Sequence, residues 1–411
     1  MNQANHNNQK VLLFDLVVTG HHPGYIQHLV QYWNENDIPG SLDVLVSSQF
    51  LELHSNIVDL AESERSRVNF VAISPEEQAS IEDKNSLAKR IIVPFKEWDI
   101  LCKYARDLGT THCLIMYLDT LMLPVTLGNK FPCPLSGIYF RTICHYSEFP
   151  NFAPSWREQL WVWRDKFYQS RILGGEKLNN LFCLDPLAIP YLEKYQSSVQ
   201  VSHLPDPVQI YNQSESELDE LRTSLGIEAD REVFMLFGSL SDRKGIHQLL
   251  EAVLMLPADL AQKLCLLLVG PSVAIDRTRM ENRMAEISQS LPVQMIRCDR
   301  FISDREIQPY FQIADVILAP YQRHVGMSAI LVRAAAAQKP VLASDYGLMG
   351  EITRRYELGI AVDSSSPKQI CQGIAQMLRE SPAKFGNLDN MKSFAQENAA
   401  ERFAQVICEH L

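Results

Sequence analysis

The sequence predicts an α/β protein of two lobes, each built around a parallel sheet. Short apolar runs of strand length alternate along the 411 residues with segments that carry apolar residues at helical spacing. Continuous apolar strands separated by helices are typical of parallel sheets covered on both faces. Because this alternation runs through the chain twice, we expect two Rossmann-like lobes facing across a cleft, with ligands bound beyond the carboxyl ends of the strands.

The first half of the chain supplies seven predicted strands. The first is an apolar run at 11–18, and the helix after it carries Ile26, Leu29, Val30 and Trp33 on one face. The later runs are equally short and are separated by helical or turn segments. In chain order the seven strands read VLLFDLVV, DVLVS, VNFVAI, CLIMYLD, GIYFR, LFCLD and VSHLPDPV.

The second half repeats this architecture with six strands. The helix after the first of them has one apolar stripe, formed by Ile246, Leu249, Leu250, Val253 and Leu254. The six strands read VFMLFG, LCLLLVG, VQMIRC, VILAP, PVLAS and IAVD.

The boundary between the lobes is predicted at a stiff proline segment. A chain of 411 residues is too long for one typical core. Pro205 and Pro207 bracket Asp206, which is typical of a linker. We therefore predict a first domain over 1–205, a second over 206–385, and a helical segment over 386–411 that returns to pack on the first.

Composition excludes several classes of function. The net charge of -11 argues against broad nucleic-acid binding, which needs a cationic face. The nine cysteines form no CxxC pair, so we expect them to be reduced in a cytoplasmic protein. The polar N-terminus lacks the apolar core of a signal peptide, and we expect no transmembrane segment. Peripheral contact with a membrane stays open.

A small-residue turn with two basic residues follows the first strand of the second half. Gly238 allows close approach of the backbone to a ligand, and Arg243 and Lys244 add positive charge before the next helix begins. A solvated turn with incidental basic residues is the alternative. The position of this turn directly after an apolar strand favours a diphosphate site.

Two further glycine-containing turns stand before helices. Gly326-Met327-Ser328-Ala329 predicts exposed amides at a helix start; an ordinary N-cap by Ser328 is the other interpretation, and both can hold together. Gly20-His21-His22-Pro23-Gly24 follows the first strand of the chain. Either histidine there could contact a phosphate or a sugar, and a structural role is the alternative.

Other polar side chains follow predicted strands. Asp119 ends CLIMYLD and His145 follows GIYFR, so both should face the cleft, where they could bind hydroxyls or transfer a proton. A turn or capping role is the alternative for each. Tyr321 and Arg323, after VILAP, are weaker candidates of the same kind. The sequence has no GxGxxG after the first strand, no Walker A motif, no Asp-x-Asp and no metal-ligand spacing, so we expect neither cofactor nor metal.

With these motifs the chain resembles the retaining glycosyltransferases of the GT-B fold, family 4. The turn from Gly238 to Gly245 matches the G-x-L-x-x-x-KG turn that holds the donor diphosphate in that family, and GHHPGY is similar to its glycine turn near the first strand. FISDREI at 301–307, ADVILAP at 314–320, PVLAS and GIAVD match further family segments.

The resemblance implies transfer of a sugar from a nucleoside-diphosphate sugar to an acceptor hydroxyl of a glycan, lipid or small molecule. It implies retention of configuration without a metal, an acceptor-side domain over 1–205 and a donor domain over 206–385. Together with the residue patterns it assigns catalytic roles to His145, His21, His22 and Asp119. It assigns donor contacts to Gly20, Gly24, Gly238, Ser239, Arg243, Lys244, Phe301, Ile302, Gly326, Met327, Ser328, Ala329 and Arg333.

The chain departs from the family pattern at the donor site. The family has Glu, seven residues and Glu before its PV strand, and the corresponding positions here are Val325 and Arg333. Ser239 stands where the family has Arg, for which Arg243 could substitute. These departures motivate two alternatives, a catalytically inactive partner or scaffold protein and an epimerase-type enzyme of the same fold.

Overall fold

The computed structural model describes residues 9–36, 38–62, 66–82, 86–150, 152–211 and 213–411, which divide into two compact units. The N-terminal unit contains the described residues up to His145 with Pro154–Pro207 and Ala400–Leu411, and the C-terminal unit contains Tyr146–Ala153 and Val208–Ala399. Each unit is built on one parallel sheet. The predicted fold of two parallel-sheet α/β lobes is confirmed.

The sheet of the N-terminal unit has seven strands in the order β3-β2-β1-β4-β5-β6-β7. Its strands are β1 (Lys10–Phe14), β2 (Ser41–Val46), β3 (Val68–Ala72), β4 (His112–Ile115), β5 (Leu135–Tyr139), β6 (Asn180–Cys183) and β7 (Gln200–His203). The helices up to this point are α1 (His22–Glu35), α2 (Ser48–Leu53), α3 (Ser55–Val58), α4 (Pro75–Glu82), α5 (Leu87–Asp107), α6 (Met122–Leu127), α7 (Trp156–Leu173) and α8 (Ile189–Glu193).

The sheet of the C-terminal unit has six strands in the order β10-β9-β8-β11-β12-β13. Its strands are β8 (Glu232–Phe237), β9 (Leu264–Val269), β10 (Gln294–Cys298), β11 (Val316–Ala319), β12 (Val341–Ser344) and β13 (Gly359–Val362). Its helices are α9 (Glu215–Ser224), α10 (Ile246–Leu254), α11 (Ala258–Ala261), α12 (Ala274–Ser290), α13 (Asp304–Ile313), α14 (Ala329–Ala336), α15 (Gly347–Arg355), α16 (Pro367–Glu380) and α17 (Leu388–Glu397).

Both sheets reverse their strand order at the same place. In each unit the chain first builds outward on one side of the starting strand and then returns to its other side, so β1 pairs with β4 and β8 pairs with β11. Ligands of open α/β sheets bind outside the carboxyl ends of the strands at such a reversal. The loops after β1 and β4, and those after β8 and β11, are therefore the places where functional side chains are expected.

All seven strands of the N-terminal unit end earlier than the apolar runs predict, and an aspartate stands in the loop after β1 and in the loop after β4. After β1, the Asp15 carboxylate accepts the amide of Val17 at 3.0 Å. After β4, the Asp119 carboxylate accepts the amides of Phe140 and Arg141, each at 2.9 Å, and so ends β5 at Tyr139. Side-chain acceptors that take up backbone amides compete with the sheet ladder, so Asp119 takes the two amides that would extend β5.

The division into units differs from the predicted domains at three points. The N-terminal unit extends to Pro207, and Tyr146–Ala153 lies with the C-terminal unit. Of the predicted returning segment 386–411, only residues from Ala400 onward belong to the N-terminal unit, while α17 stays in the C-terminal unit. The last helix, α18 (Ala400–Cys408), packs on α1, where the Phe403 ring lies 4.9 Å from that of Tyr25. The Tyr25 hydroxyl donates to the buried Asp206 carboxylate at 2.5 Å.

Among the residues that the structure describes, no helix is both long and apolar enough to cross a bilayer. The longest, α5, carries charged side chains along its length and a proline at position 94.

Replacing Phe403 by Ala should destabilise the N-terminal unit by about 3–5 kcal/mol, because it empties a fully buried aromatic site. All five tryptophans of the chain lie in that unit, so urea unfolding followed by tryptophan fluorescence reports on it selectively. Leu53→Ala is the control, since Leu53 is 57 % exposed. An unchanged midpoint for Phe403→Ala would contradict the packing of α18 on this unit.

His112 should make the stability of the N-terminal unit dependent on pH. Its Nε2 lies 2.8 Å from Ser136 Oγ, and burial lowers its pKa from 6.5 to about 4. The folded unit therefore keeps this imidazole neutral while the unfolded chain protonates it, so stability present above pH 6.5 is lost as the pH falls towards 4.

The expected loss from His112 is up to about 1.4 kcal/mol per pH unit within that window. His112→Gln keeps a polar partner for Ser136 and should flatten the dependence. Urea midpoints of wild type and variant at a pH above and a pH below 6.5 measure the difference. Parallel losses in the two proteins would contradict a neutral His112 in the folded unit.

Candidate functional site

The turn after β8 places Lys244 on the face of a tyrosine. Its Nζ lies 4.0 Å from the centroid of the Tyr321 ring and also contacts the Tyr321 hydroxyl. The guanidinium carbon of Arg243 lies 5.9 Å from the same centroid. Cations are attracted to the negative face of an aromatic ring. The arrangement holds two positive charges together beyond the carboxyl ends of β8 and β11, where Arg243 is exposed and Lys244 is half-buried.

Two glycines make this turn sterically possible. Gly238 has a φ of 104°, and a Cβ there would lie 3.1 Å from Lys244 Nζ. Gly245 has a φ of 77°, and a Cβ there would come within 2.0 Å of the Pro320 carbonyl oxygen. A side chain at either position would displace Lys244 or push the turn away from β11. The close neighbour of Gly238 in the structure is the Lys244 side chain, and the approach of a ligand to Gly238 stays a prediction.

The turn is also fastened to the loop after β11 by hydrogen bonds of Gln322. Its backbone amide donates to the Arg243 carbonyl at 2.9 Å. Its side-chain amide donates to the carbonyls of Pro320 at 2.9 Å and Ser364 at 2.7 Å. These bonds fix the position of the basic turn relative to Tyr321, which itself is 1 % exposed.

The start of α14 adjoins this cluster through His324. The His324 ring lies 5.4 Å from that of Tyr321, and its Nε2 lies 3.3 Å from the Met327 carbonyl oxygen. Gly326 has a φ of 98°, and its amide donates to the Tyr146 hydroxyl at 2.9 Å. Ser328 occupies the N-cap position, yet its hydroxyl caps none of the described amides. The capping alternative for the Ser328 side chain is therefore wrong, and the half-buried residues from Met327 to Ala329 leave backbone amides at a helix start.

Four other predicted donor residues lie in different surroundings. Arg333 forms an ion pair with Asp304 at 2.6 Å, and Tyr211 donates to the second Asp304 oxygen at 3.1 Å. Ile302 is 5 % exposed, so only its backbone could meet a ligand, whereas Phe301 is 79 % exposed. Ser239, half-buried, accepts the Ser241 hydroxyl at its carbonyl, 3.2 Å away. Asp304 was missed by sequence reasoning, although it lies in the FISDREI segment.

In the N-terminal unit, the turn after β1 holds a histidine–aspartate pair. His22 Nδ1 lies 2.6 Å from Asp15 Oδ2, and both side chains are buried. A carboxylate in this position orients the imidazole and fixes which nitrogen carries the proton. Asp15 was not among the predicted residues. The signal that could have found it is its place directly after the apolar run of β1.

His21 is packed among aromatic rings. It stacks on His22 at 4.5 Å and on Phe140 at 4.9 Å between ring centroids. Although part of the residue is exposed, loss of water around the ring and the neighbouring His22 lower the pKa of His21 to about 3. His21 is therefore a neutral hydrogen-bonding group at neutral pH.

The two predicted glycines of this turn have different conformations. Gly20 has a φ of 73° and is exposed at the turn. Gly24 lies inside the first turn of α1, and a Cβ there would meet no described atom within 4 Å. The special conformation expected of a ligand-binding glycine is thus present at Gly20, and Gly24 is an ordinary helical residue.

Asp119 is used structurally. Its two carboxylate oxygens accept the backbone amides of Phe140 and Arg141, which joins the loops after β4 and β5. Burial raises the pKa of Asp119 to about 6 despite these hydrogen bonds. The structure does not match the prediction that the Asp119 side chain is available for catalysis. It matches the alternative, a role in the turn.

His145 is buried in the N-terminal unit. Its side chain is 1 % exposed, and Nε2 lies 3.1 Å from Asp185 Oδ2 at the end of β6. The other Asp185 oxygen accepts the Leu187 amide at 2.9 Å. The expectation that His145 presents its ring to a ligand is therefore not met, because a carboxylate and packed side chains surround it.

Residues 217–398 match the model of the family described as glycosyl transferases group 1. The matched segment lies in the C-terminal unit and includes Lys244, Tyr321 and the start of α14. The predicted resemblance to glycosyltransferases is confirmed for these residues.

Two curated proteins extend the similarity in sequence. The chain is 27 % identical over 195 residues to the lipopolysaccharide 1,2-N-acetylglucosaminetransferase of Salmonella typhimurium, covering 46 % of this chain and 51 % of that protein. It is 23 % identical over 161 residues to an uncharacterized glycosyltransferase of Methanocaldococcus jannaschii, covering 39 % and 40 %. The match thus spans about half the length of these relatives, or less.

Solved structures match the fold over nearly the whole chain. The crystal structure of Anabaena Alr3699/HepE in complex with UDP and glucose superposes with a TM-score of 0.65 and 15 % identity, covering 98 % of this chain and 99 % of that one. This likeness agrees with two α/β units of the GT-B type. At this identity it concerns the fold alone.

Gly245→Ala should destabilise the C-terminal unit by more than the ~1–2 kcal/mol expected for a left-handed non-glycine residue, because its Cβ would overlap Pro320. Gly226→Ala is the matched control, since Gly226 has a φ of +68° and a Cβ there would meet no described atom within 4 Å. Thermal unfolding followed by circular dichroism compares the two variants. Equal melting temperatures would contradict the close contact between the turn and β11.

Proposed function

We propose that the chain is a glycosyltransferase that moves a sugar from a nucleoside-diphosphate sugar to an acceptor hydroxyl. One observation carries this proposal, the pairing of Lys244 and Arg243 on Tyr321 beyond the carboxyl ends of β8 and β11. A diphosphate needs neighbouring cations and free amides, and both are available within the segment that matches the group 1 family.

The diphosphate gains negative charge as the sugar leaves, and stabilising that charge is the main electrostatic task of the domain. In the proposal the Lys244 ammonium and the exposed Arg243 guanidinium supply positive charge, and the amides at the start of α14 supply hydrogen bonds. The contact of Tyr321 with Lys244 holds the ammonium in place before the donor arrives. Charge neutralisation is thus assigned to protein groups.

Uridine diphosphate is the nucleotide that we propose first. The structural neighbour Alr3699/HepE was crystallised with UDP and glucose, and another structure of it contains UDP-glucose. The Salmonella relative is named as an N-acetylglucosaminetransferase. Retention of configuration at the sugar remains part of the proposal, and it rests on the resemblance of the motifs to family 4.

For the N-terminal unit we propose His22 as the group that contacts the sugar or the acceptor hydroxyl. Asp15 lies 2.6 Å from its Nδ1 and would act as a positioning residue. His21 would add a neutral hydrogen-bonding ring, because its pKa is lowered to about 3. His145 and Asp119 are left with positioning roles, since each already meets groups of its own unit.

A catalytically inactive partner protein is the second candidate, and the Arg333–Asp304 ion pair favours it. Arg333 stands where the family has its second Glu, whose carboxylate faces the ribose of the donor. In this chain the position holds a guanidinium that is paired with the Asp304 carboxylate. An inactive protein would neither release UDP from a UDP-sugar nor be stabilised by UDP.

Lys244→Ala should weaken UDP binding and lower turnover by roughly tenfold to a thousandfold, on the scale of removing one charge stabiliser. Release of UDP from UDP-sugars measures turnover, and thermal shift with UDP measures binding. Wild-type protein with UDP at ~100 times its dissociation constant should gain roughly 2.7 kcal/mol of stability.

Two variants make the Lys244 result specific. Lys244→Met keeps an unbranched chain on the Tyr321 ring without its charge and should behave like Lys244→Ala. Lys368→Ala, at an exposed position of the same unit, should match wild type. Wild-type turnover and UDP binding in both Lys244 variants would overturn the assignment of the diphosphate to this turn.

A further inference from the structure

Helix α7 presents its polar side to the protein and an aromatic side to solvent. Its buried residues include Glu158, Asp165 and Gln169, with apolar Ile172 and Leu173 only in the last turn. A surface helix of a globular protein usually turns its apolar stripe to the core. The arrangement in α7 is the reverse of this over most of its length.

The outward face of α7 carries a continuous apolar stripe. Trp156, Leu160, Trp163 and Phe167 are 67, 57, 70 and 39 % exposed. Their spacing of four, three and four residues places them on one side of the helix. The rings of Trp163 and Phe167 are stacked at 6.4 Å. Exposed aromatic patches of this kind mark interaction sites.

Hydrogen bonds on the inner side fix the rotation of α7. The Gln169 side-chain amide donates to the Tyr139 hydroxyl at 3.1 Å and to Cys144 Sγ at 2.9 Å. Glu158 forms a capping box with Ser155 at the helix start. Rolling the tryptophans inward would break these buried bonds, which is costly. The stripe is therefore held outward.

Every exposed charged side chain of α7, all of whose residues are described, is positive. These are Arg157, Arg164, Lys166 and Arg171, while the acids Glu158 and Asp165 are each 4 % exposed. Two of the arginines lie over rings of the stripe, with guanidinium carbons 5.2 Å from Trp156 and 5.7 Å from Phe167. This face is cationic on a chain whose net charge is -11.

We propose that α7 docks on the surface of a bilayer that contains anionic phospholipid. Helices that lie in a membrane interface bury Trp, Phe and Leu at the boundary of headgroups and acyl chains and place Lys and Arg among the headgroups. Each cation near an anionic leaflet adds attraction. The stripe and its flanking arginines fit this surface.

Charge decides between a membrane and a second copy of the chain. If two copies met through α7, the four cations of one helix would lie opposite the four cations of the other. Like charges across an interface disfavour association. An anionic lipid surface complements the same four cations. The proposal goes beyond sugar transfer, and it holds whether or not the chain has that activity.

Co-flotation of the full chain with vesicles tests the proposal. Binding should be strong to phosphatidylcholine mixed with phosphatidylglycerol, weak to phosphatidylcholine alone, and reduced by added salt. Tryptophan emission gives a second measure. Trp33 and Trp98 are 4 and 1 % exposed, so a blue shift on adding vesicles reports the three tryptophans of α7.

Two variants separate the apolar from the charged contribution. Trp156→Ala with Trp163→Ala should abolish most binding, because the inserted rings are lost. Arg157→Gln, Lys166→Gln and Arg171→Gln combined should weaken binding by about fivefold for each cation removed. Arg164 is left intact because it pairs with the buried Asp165 at 2.8 Å. Ile275→Ala with Arg379→Gln, both exposed in the C-terminal unit, should bind like wild type.

Thermal shift with UDP and circular dichroism should be unchanged in all these variants, which separates loss of docking from loss of fold. Equal binding to both kinds of vesicle, or binding that the α7 variants leave unchanged, would overturn the proposal. A dimer that the tryptophan variants dissociate, found without vesicle binding, would overturn it in favour of a second copy.

Discussion

The candidate site depends on the close contact between the turn after β8 and the loop after β11. The Cα of Gly245 lies against the Pro320 carbonyl, and Gln322 bonds to both segments and to Ser364. Neither loop could hold its position alone, since a short turn in water has many conformations of similar energy. Together they set Lys244 on the ring of Tyr321, and the charge of the site follows from that placement.

The N-terminal unit organises its loops with aspartates at the ends of neighbouring strands. Asp15, Asp119 and Asp185 follow β1, β4 and β6 or their loops, and each accepts a backbone amide. Two of them also lie against a histidine, His22 and His145. Pairing a buried carboxylate with amides and an imidazole satisfies its oxygens without an exposed cation. Aspartate therefore has two roles in this unit: it accepts backbone amides at the ends of strands, and it orients histidine side chains.

The sequence predicted the strands and the basic turn because both are local patterns. Apolar runs and glycine positions depend on residues close in the chain, and so does the basic pair Arg243-Lys244. The partners of these residues depend on the fold. Tyr146, which accepts the Gly326 amide, lies 180 residues earlier in the chain. No spacing could indicate that contact.

Burial explains the predictions that the structure does not match. A polar residue after a strand can point outward or inward, and sequence pattern does not distinguish the two. His145 and Asp119 found partners inside their own unit, and Arg333 paired with Asp304. Sequence alone could place these residues near the ends of strands, but it could not assign their contacts.

The return of α18 to the N-terminal unit has a consequence for synthesis on the ribosome. Tyr25 and Phe403 pack together although almost the entire chain separates them. Domains generally fold as units while the chain emerges, but this one lacks a piece of its core until the segment from Ala400 onward has been made. The later-made unit can complete its packing first, and a nonsense codon shortly before α18 would damage the half of the molecule that was made earliest.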